Sequence, residues 1–379
     1  MAKRHKHSDD DDIKKQQQQS LLPGLPDHLA QLCLSQQHLP APLLFSVCRP
    51  WRRLLYSPSF PPFLSLYAIL YSSSTTMIHF ACFDPVSSTW SPLPPPPHHH
   101  SLLLRHPSFI SRHLPIQTVS AAGKLVLLAA TDRHLLPALP TPSLFDPDTS
   151  RWIPAPPLPS GPRRWCAAGS AGGSLYVASG VGSEYSSETA RSAERWDMLS
   201  LSPSSSSSSS GGAGWEAVCP LKDSRFSREP VEMVWSRWNN KLCMVDRNVK
   251  EGAVYDAGSD RWEEMPAGMV SGWDGPAAAE GDSVYVVEES SGVMRRYEWE
   301  GDTWRDVVRL EGLKGACAMA AGGGKVVVAS RGGGTLTVVD VAAVGRGGGG
   351  KYWWEVVIPE GMRVMAMHVL PRMRRRRTS

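Results

Sequence analysis

The residues that could do chemistry in this chain begin with three consecutive histidines, His98–His100, whose imidazoles could ligate a metal ion. Neighbouring side chains diverge on an extended strand, so adjacent histidines converge poorly on one ion. The run also follows four prolines at 94–97. The pattern therefore predicts an exposed loop and no metal site.

A second candidate is the glycine-rich stretch Gly322–Lys325, which could indicate a phosphate-binding loop. The full pattern, in which Gly-Lys is followed by Ser or Thr, is absent, and the lysine enters an apolar run. A hairpin turn is the better interpretation. No Ser-His-Asp or Cys-His arrangement stands out either. We therefore expect no catalytic residue, no cofactor and a protein that is not an enzyme.

The cysteines exclude two further kinds of site. They are odd in number, scattered and without a Cys-x-x-Cys pair: Cys33, Cys48, Cys82, Cys166, Cys219, Cys243 and Cys317. This pattern predicts reduced thiols inside a cell, without a disulfide framework or a zinc site. We expect the protein in the cytoplasm, the nucleus or both.

The charge distribution bears on partners. The net charge is +4, and five of the positive charges are Arg372 and Arg374–Arg377, which leaves −1 for the rest. A near-neutral body argues against nucleic-acid binding. The N-terminus has no apolar core of a signal peptide. The apolar run Phe63–Tyr71 is shorter than the ~20 residues that span a bilayer, so no membrane segment is expected.

The elements that could position a site are repeats. Four segments share an aromatic residue, an acidic residue, five further residues and a tryptophan: Phe83–Trp90, Phe145–Trp152, Tyr255–Trp262 and Tyr297–Trp304. Two more copies fit once low-complexity inserts are removed, Trp196-Asp197 with Trp215, and Val339-Asp340 with Trp353 or Trp354. The spacing predicts a strand, a turn rich in Asp, Ser and Gly, and a returning strand that opens with Trp.

Most copies are preceded by a turn and an apolar run, so the repeating unit carries four strands, as in a propeller blade. Six units predict six blades. The last run, at 363–370, reads as an innermost strand, and the first, at 64–71, reads as a second strand, so pairing them would close the ring. An open array of β-sandwich repeats is the alternative.

The composition divides the chain into segments. We expect a disordered tail at 1–20, a helical domain at 21–62, a propeller at 63–371 with flexible inserts at 202–212 and 345–350, and a basic tail at 372–379. The basic tail is compatible with nuclear import and equally with a solvated terminus. The fold class predicted is a small all-α domain followed by an all-β six-bladed propeller.

The helical domain shows apolar stripes on predicted helices. One helix should start near Pro26-Asp27, with Leu25, Leu29 and Leu32 on one face. Leu43, Leu44 and Val47 form a second stripe, which Trp51, Leu54 and Leu55 continue. About 35 residues bury little surface alone, so part of these faces should meet a partner or the following domain.

Two pieces of this domain, Leu22-Pro23-x-Leu25-Pro26-Asp27 and Val47-Cys48-Arg49-x-Trp51-Arg52-x-Leu54, resemble an F-box. The repeats behind it resemble kelch repeats. Together, over about residues 21–371, the chain is similar to the plant kelch-repeat F-box proteins, in particular their Skp-interacting-partner group. The resemblance implies a target-recognition subunit of a Skp–cullin–F-box ubiquitin ligase, which binds a Skp-family adaptor and, through it, cullin and RING subunits.

The resemblance also implies two sets of site residues. The adaptor would contact the F-box face, which comprises Leu22, Pro23, Leu25, Pro26, Leu29, Leu44, Val47, Cys48, Trp51 and Leu54. In kelch propellers, a position about twelve residues before the second strand tends to face the central pocket. That register selects Arg163, Arg164, Trp273 and Lys314 as residues that would bind an unidentified target protein, although both Trp165 and Trp273 could instead pack between blades.

Two other functions remain open at this point. A propeller scaffold without a ubiquitin link would require the helices to hide Leu25 and Trp51. A propeller enzyme would require a polar or metal-lined central pocket, of which the sequence gives no sign.

Overall fold

A computed structural model describes residues 20–35, 41–55, 64–72, 74–75, 77–97, 116–132, 134–199, 214–228, 231–237, 240–344 and 352–373. The triple histidine, both low-complexity inserts and most of the two tails lie outside these residues. The chain forms two compact units. One comprises residues 1–63, 85–89 and 374–379, and the other comprises residues 64–84 and 90–373. Within the described residues, no helix is long and apolar enough to cross a membrane.

The first unit contains three helices, α1 (Asp27–Ser35), α2 (Ala41–Val47) and α3 (Arg49–Leu55). Asp27 places a negative charge in the first turn of α1, where the helix dipole favours it. Pro50 lies in the first turn of α3, so its missing N–H removes no helical hydrogen bond.

The second unit consists of six four-stranded antiparallel sheets, which we number as blades 1 to 6. Blade 1 contains β1 (Leu64–Ser72), β2 (Ile78–Asp84), β3 (Thr89–Pro92) and β24 (Met362–Pro371). Blade 2 contains β4 (Ile116–Ala121), β5 (Lys124–Ala130), β6 (Ser143–Asp146) and β7 (Arg151–Pro154). Blade 3 contains β8 (Ala167–Ala171), β9 (Ser174–Ala178), β10 (Ala193–Asp197) and β11 (Trp215–Ala217).

Blade 4 contains β12 (Glu232–Ser236), β13 (Lys241–Asp246), β14 (Glu251–Asp256) and β15 (Arg261–Glu264). Blade 5 contains β16 (Ala277–Glu280), β17 (Ser283–Glu288), β18 (Val293–Glu298) and β19 (Thr303–Arg309). Blade 6 contains β20 (Ala316–Gly322), β21 (Lys325–Ser330), β22 (Thr335–Asp340) and β23 (Trp353–Val357). Short helices α4 (Ser187–Arg191), α5 (Ala267–Ser271) and α6 (Val341–Val344) lie in connections.

The innermost strands form a closed ring. In order around it they are β24, β4, β8, β12, β16 and β20, and β20 contacts β24 again. Blade 1 is completed by both ends of the propeller sequence, because β24 pairs with β1 from Leu64–Pro371 to Ser72–Met362. This pairing covers the inner edge of β1, which would otherwise lack a partner strand. The predicted six-bladed propeller and its closure are confirmed.

The repeat motif forms the turn between the third and fourth strands of a blade. The acidic residue that ends the third strand accepts hydrogen bonds from the turn, as when Asp256 Oδ1 binds the amides of Gly258 and Ser259 at 2.8 and 3.2 Å. These bonds depress the pKa of the Asp256 carboxyl. The turn closes with a left-handed residue just before the fourth strand, with φ of 50° at Asp260 and 46° at Asp302.

The motif tryptophans join neighbouring blades. In five blades the Nε1–H donates to a backbone carbonyl in or just after the fourth strand of the preceding blade, over 2.7 to 3.1 Å. The five pairs are Trp90 with Val357, Trp152 with Pro94, Trp215 with Pro156, Trp262 with Cys219 and Trp304 with Met269. In these five blades the motif tryptophan therefore contributes to blade order as well as to the core.

Trp262→Phe should test this bond, because phenylalanine keeps an aromatic ring beside Tyr255, 5.1 Å away, and removes the donor to Cys219. We expect the free energy of unfolding to fall by about 1–2 kcal/mol, measured by urea denaturation. Trp299→Phe is the matched control, since the buried Nε1 of Trp299 has no hydrogen-bond partner. Equal losses for the two variants would contradict the proposed role of the bond.

One half-buried histidine is expected to make the propeller sensitive to acid. His368 lies on the innermost strand β24, and its Nε2 is 2.8 Å from the Thr118 hydroxyl on β4. Burial disfavours the charged imidazolium and lowers the pKa of His368 from its ordinary 6.5 to about 4. The folded protein thus holds this imidazole neutral at pH values where the unfolded chain protonates it.

The unfolded state therefore binds more protons between pH 6.5 and 4, and the contribution of His368 to stability is lost as the pH falls through that window. The expected slope from this one group is about 1.4 kcal/mol per pH unit. A His368→Asn variant should lose less stability than the wild type between pH 7 and pH 4.5 in urea titrations. Parallel pH profiles for the two proteins would rule this contribution out.

Candidate functional site

The helical unit has a small core of its own. Its fully buried side chains are Ala30, Leu34, Leu44, Leu54 and Leu55. They come from all three helices, because α1, α2 and α3 each present one apolar stripe inwards.

Hydrogen bonds fasten the segment before α1 to this core. The indole Nε1 of Trp51 donates to the carbonyl of Leu21 at 2.7 Å, and the amide of Leu21 donates to Asp27 Oδ1 at 3.1 Å. The guanidinium of Arg52 donates to the carbonyl of Phe45 and stacks over its ring at 5.0 Å. These contacts hold the Leu-Pro segment at 22–26 in a defined position.

Apolar side chains remain on the surface of this unit. Leu29 is 42% exposed and Val47 is 54% exposed. Among the other predicted adaptor-contacting residues, Pro23 and Pro26 are exposed, and four are half-buried: Leu22, Leu25, Cys48 and Trp51. The unit therefore presents accessible apolar surface next to a folded core, as a docking surface requires.

Two residues predicted for this face lie elsewhere. Leu44 is 1% exposed and Leu54 is 6% exposed, so both belong to the core of the unit and are inaccessible to an adaptor. Helical periodicity identified them as apolar without indicating which stripe faces inwards. They position the exposed residues and do not form part of the candidate site.

The predicted target-binding residue Arg163 also lies in the interior. It is 2% exposed, and its Nη2 donates to Glu194 Oε2 at 2.7 Å. Its Nη1 donates to the carbonyl of Ser179 and the hydroxyl of Ser192, at 3.0 and 2.8 Å. The guanidinium thus ties the loop before β8 to the connection between β9 and β10, and a target cannot reach it.

Trp273 is fully buried as well. Its ring meets Trp304 edge to face, with centroids 5.8 Å apart, and its carbonyl accepts a bond from Lys250 Nζ. It packs between blades 4 and 5, among Val284 and other core side chains. The alternative interpretation of Trp273 as a packing residue is the correct one.

The other two predicted target-binding residues are accessible. Arg164 is half-buried and stacks its guanidinium over Trp165 at 4.1 Å. Burial lowers the pKa of Arg164, and Asp132 opposes that shift. Lys314 is exposed and its Nζ lies 2.7 Å from Glu311 Oε1. Both lie in loops before an innermost strand and remain predicted contacts for a target.

Sequence reasoning missed a set of exposed apolar residues on the same edge of the propeller. Four successive blades each present one in the loop between their second and third strands, namely Met77, Leu136, Tyr185 and Val249, which are 40–63% exposed. Their signal in the sequence is weak, because a single apolar residue in a loop has no periodicity. This edge also carries the loops that precede the innermost strands, so it brings together accessible side chains from several blades.

Three of the seven cysteines, Cys82, Cys166 and Cys243, are buried in the propeller. All seven are free thiols, and within the described residues no group of three or more potential metal ligands occurs. Burial raises the pKa of Cys82 and Cys243 to about 12 and that of Cys166 to about 11. Such thiols stay protonated at neutral pH and act as small apolar core residues.

A helical unit with accessible apolar residues, followed by a six-bladed propeller, defines a class of proteins that bind other proteins. Two relatives from Arabidopsis thaliana place the chain within that class. The chain is 46% identical over 371 residues to the F-box/kelch-repeat protein SKIP25, covering 93% of this chain and 90% of the relative. It is 25% identical over 294 residues to the F-box protein AFR, covering 72% of this chain and 69% of the relative.

The chain belongs to the F-box/kelch-repeat proteins. No model of a protein family matches it. The resemblance inferred from the Leu-Pro and Val-Cys-Arg pieces and from the repeated tryptophans is confirmed.

Proposed function

We propose that this protein is the target-recognition subunit of a Skp–cullin–F-box ubiquitin ligase. The helical unit binds a Skp-family adaptor, which brings cullin and RING subunits, and the propeller binds a target protein for ubiquitination and degradation. The observation that carries the proposal is the accessible apolar surface at Leu29 and Val47 on a folded F-box unit.

The role is non-catalytic. Ubiquitin transfer in such a complex depends on holding the target near the ubiquitin-carrying enzyme, and another subunit supplies the chemistry. The chain then needs only two binding surfaces. A cytoplasmic or nuclear location, where such ligases meet their targets, belongs to the same proposal.

Co-expression with a Skp-family adaptor and a cullin tests the proposal. We expect the full chain to retain the adaptor, and to retain the cullin only when the adaptor is present. A Leu29→Asp, Val47→Asp variant should weaken adaptor binding about 100-fold or more, because two charges would be buried in an apolar interface. Both positions are exposed, so the fold should persist.

Ile153→Asp is the matched control, since Ile153 is 43% exposed on β7 of the propeller. It should leave adaptor binding unchanged. A wild-type chain that never retains the adaptor, or a double variant that retains it fully, would support the scaffold function instead.

A further inference from the structure

A cluster of charged residues lies at one end of the channel that the six innermost strands surround, and we call this end the mouth. The innermost strands β12, β20 and β24 all begin at this edge of the propeller, and the loops between second and third strands end there. Glu232 is the first residue of β12, and Arg363 is the second residue of β24. Residues from blades 4, 5, 6 and 1 therefore share this edge.

Ion pairs connect three of these blades. Arg247 binds Glu232 through Nη2 and Glu289 through Nη1, both at 3.3 Å. The second oxygen of Glu289 lies 3.4 Å from Nη2 of Arg331 on blade 6. The Arg331 side chain is 57% exposed, whereas that of Arg247 is 18% exposed. The network thus ends in an accessible guanidinium.

Arg363 adds a further positive charge. It is exposed, and no ion pair within the described residues involves it. The amide of Arg331 donates to the carbonyl of Gly315 just before β20, and β20 packs against β24, so Arg331 and Arg363 lie at the same end of neighbouring strands. Burial raises the pKa of the Cys317 thiol on β20, and the guanidinium groups of Arg331, Arg363 and Arg247 oppose that shift.

The charges at the mouth do not balance. Among the described residues, three guanidinium groups face two carboxylates, those of Glu232 and Glu289. Two arginines elsewhere on this edge are neutralised locally. Arg163 is buried against Glu194, and Arg295 has carboxylates of Asp274, Glu288 and Asp306 within 3.5 Å.

Exposed apolar side chains adjoin this charge. The amide of Ser72 donates to the carbonyl of Met77 at 2.9 Å, and Ser72 pairs with Met362, the neighbour of Arg363. Met77 and Arg363 therefore lie at the same edge of blade 1. On blade 2, the next loop presents Leu136, and both Met77 and Leu136 are 40% exposed.

We propose that this edge of blades 6, 1 and 2 binds a target segment in which an aspartate or glutamate lies beside an apolar residue. Arg331 and Arg363 donate charge-assisted hydrogen bonds to the carboxylate, and Met77 and Leu136 contact the apolar side chain. The proposed contacts specify the chemistry of the target segment, and they rest on the proposed function of the propeller.

A random peptide library displayed to the immobilised full chain tests the proposal. Enriched peptides should carry Asp or Glu next to Leu, Ile, Phe or Met. An enriched peptide should bind Arg331→Glu, Arg363→Glu at least about 10-fold more weakly, measured by fluorescence anisotropy, because like charges repel across an interface. Selection on that variant should shift towards Lys and Arg.

Arg305→Glu is the matched control, because Arg305 is exposed on the outermost strand β19 of blade 5 and lies away from the mouth. This reversal changes the net charge by as much as either single reversal in the double variant. It should alter peptide affinity less than about twofold. The milder Arg363→Gln covers the case in which the double reversal unfolds, since replacing an exposed side chain is expected to leave the melting temperature unchanged, and it should still weaken peptide binding.

Three results would overturn the proposal: no enrichment, enrichment without acidic residues, or equal loss with Arg305→Glu. Adaptor binding measured on the same preparations separates this proposal from the proposed function. A chain that binds the adaptor but selects no acidic peptide refutes only the target chemistry. A chain that selects acidic peptides but never binds the adaptor refutes only the ligase function.

Discussion

Replacing Arg163 with methionine is expected to lower the free energy of unfolding by about 3–5 kcal/mol, because it leaves the buried carboxylate of Glu194 without its ion-pair partner. The side chains of this pair are 0% and 2% exposed. Glu194 would keep only the amide and hydroxyl of Ser160, at 3.0 and 2.6 Å. Methionine retains most of the apolar volume of the arginine stem, so the loss reports on charge and hydrogen bonds.

Urea denaturation of the full chain measures this effect. Arg163→Met, Glu194→Leu should recover most of the lost stability, because neither charge is then left buried alone. Arg296→Met is the control. The pair of Arg296 with Glu298 is 39% and 38% exposed, and exposed pairs contribute at most about 1 kcal/mol. Similar losses for Arg163→Met and Arg296→Met would contradict the structural role of the buried pair.

This result also bears on target binding. The kelch register predicts that Arg163 faces a target, but a charge reversal there would disturb the interior of blade 3 first. Loss of target capture by Arg163→Glu would therefore report on folding. Arg331 and Arg363, which are exposed, are the residues whose variants can report on binding.

Replacing Gly275 with alanine is the second change expected to have a large effect. A Cβ at this position would lie 1.8 Å from the carbonyl oxygen of Val287, a backbone atom that cannot turn away. The loop before β16 would have to separate from β17, where the amide of Val287 now donates to the carbonyl of Pro276 at 3.2 Å. We expect a loss of about 2–3 kcal/mol, as for overpacking in a close-packed interior.

Thermal and urea denaturation check this expectation. Gly334→Ala, in the loop between β21 and β22, is the matched control, since its Cβ would meet nothing within 4 Å. Its stability should stay within about 0.5 kcal/mol of the wild type. A Gly275→Ala protein as stable as Gly334→Ala would show that the loop before β16 is not held against Val287.

The propeller could be predicted because its signals are local. Aromatic, acidic and tryptophan residues recur at one spacing, and each repeat forms one turn between neighbouring strands of the same blade. Ring closure followed from the runs at the two ends, which became β1 and β24. The hydrogen bonds from Trp262 and its equivalents to the preceding blade could not be predicted, because they join residues 35–267 positions apart.

The candidate sites were harder to predict, because accessibility depends on distant segments. Arg163 is buried because the connection after β9 supplies Ser179, Ser192 and Glu194 around it. Leu44 and Leu29 are both apolar residues on short helices, yet they are 1% and 42% exposed, because only the packing of three helices decides which stripe faces inwards. The charges at the channel mouth come from four blades, so no local sequence motif predicts that they lie together.

Hydrogen–deuterium exchange of the full chain, with and without a purified Skp-family adaptor, measures most directly whether the helical unit is a docking surface. The account predicts slower amide exchange in residues 21–35 and 41–55 when the adaptor is added, and unchanged exchange in the propeller strands. Slower exchange confined to the propeller, or no change anywhere at saturating adaptor, would contradict it.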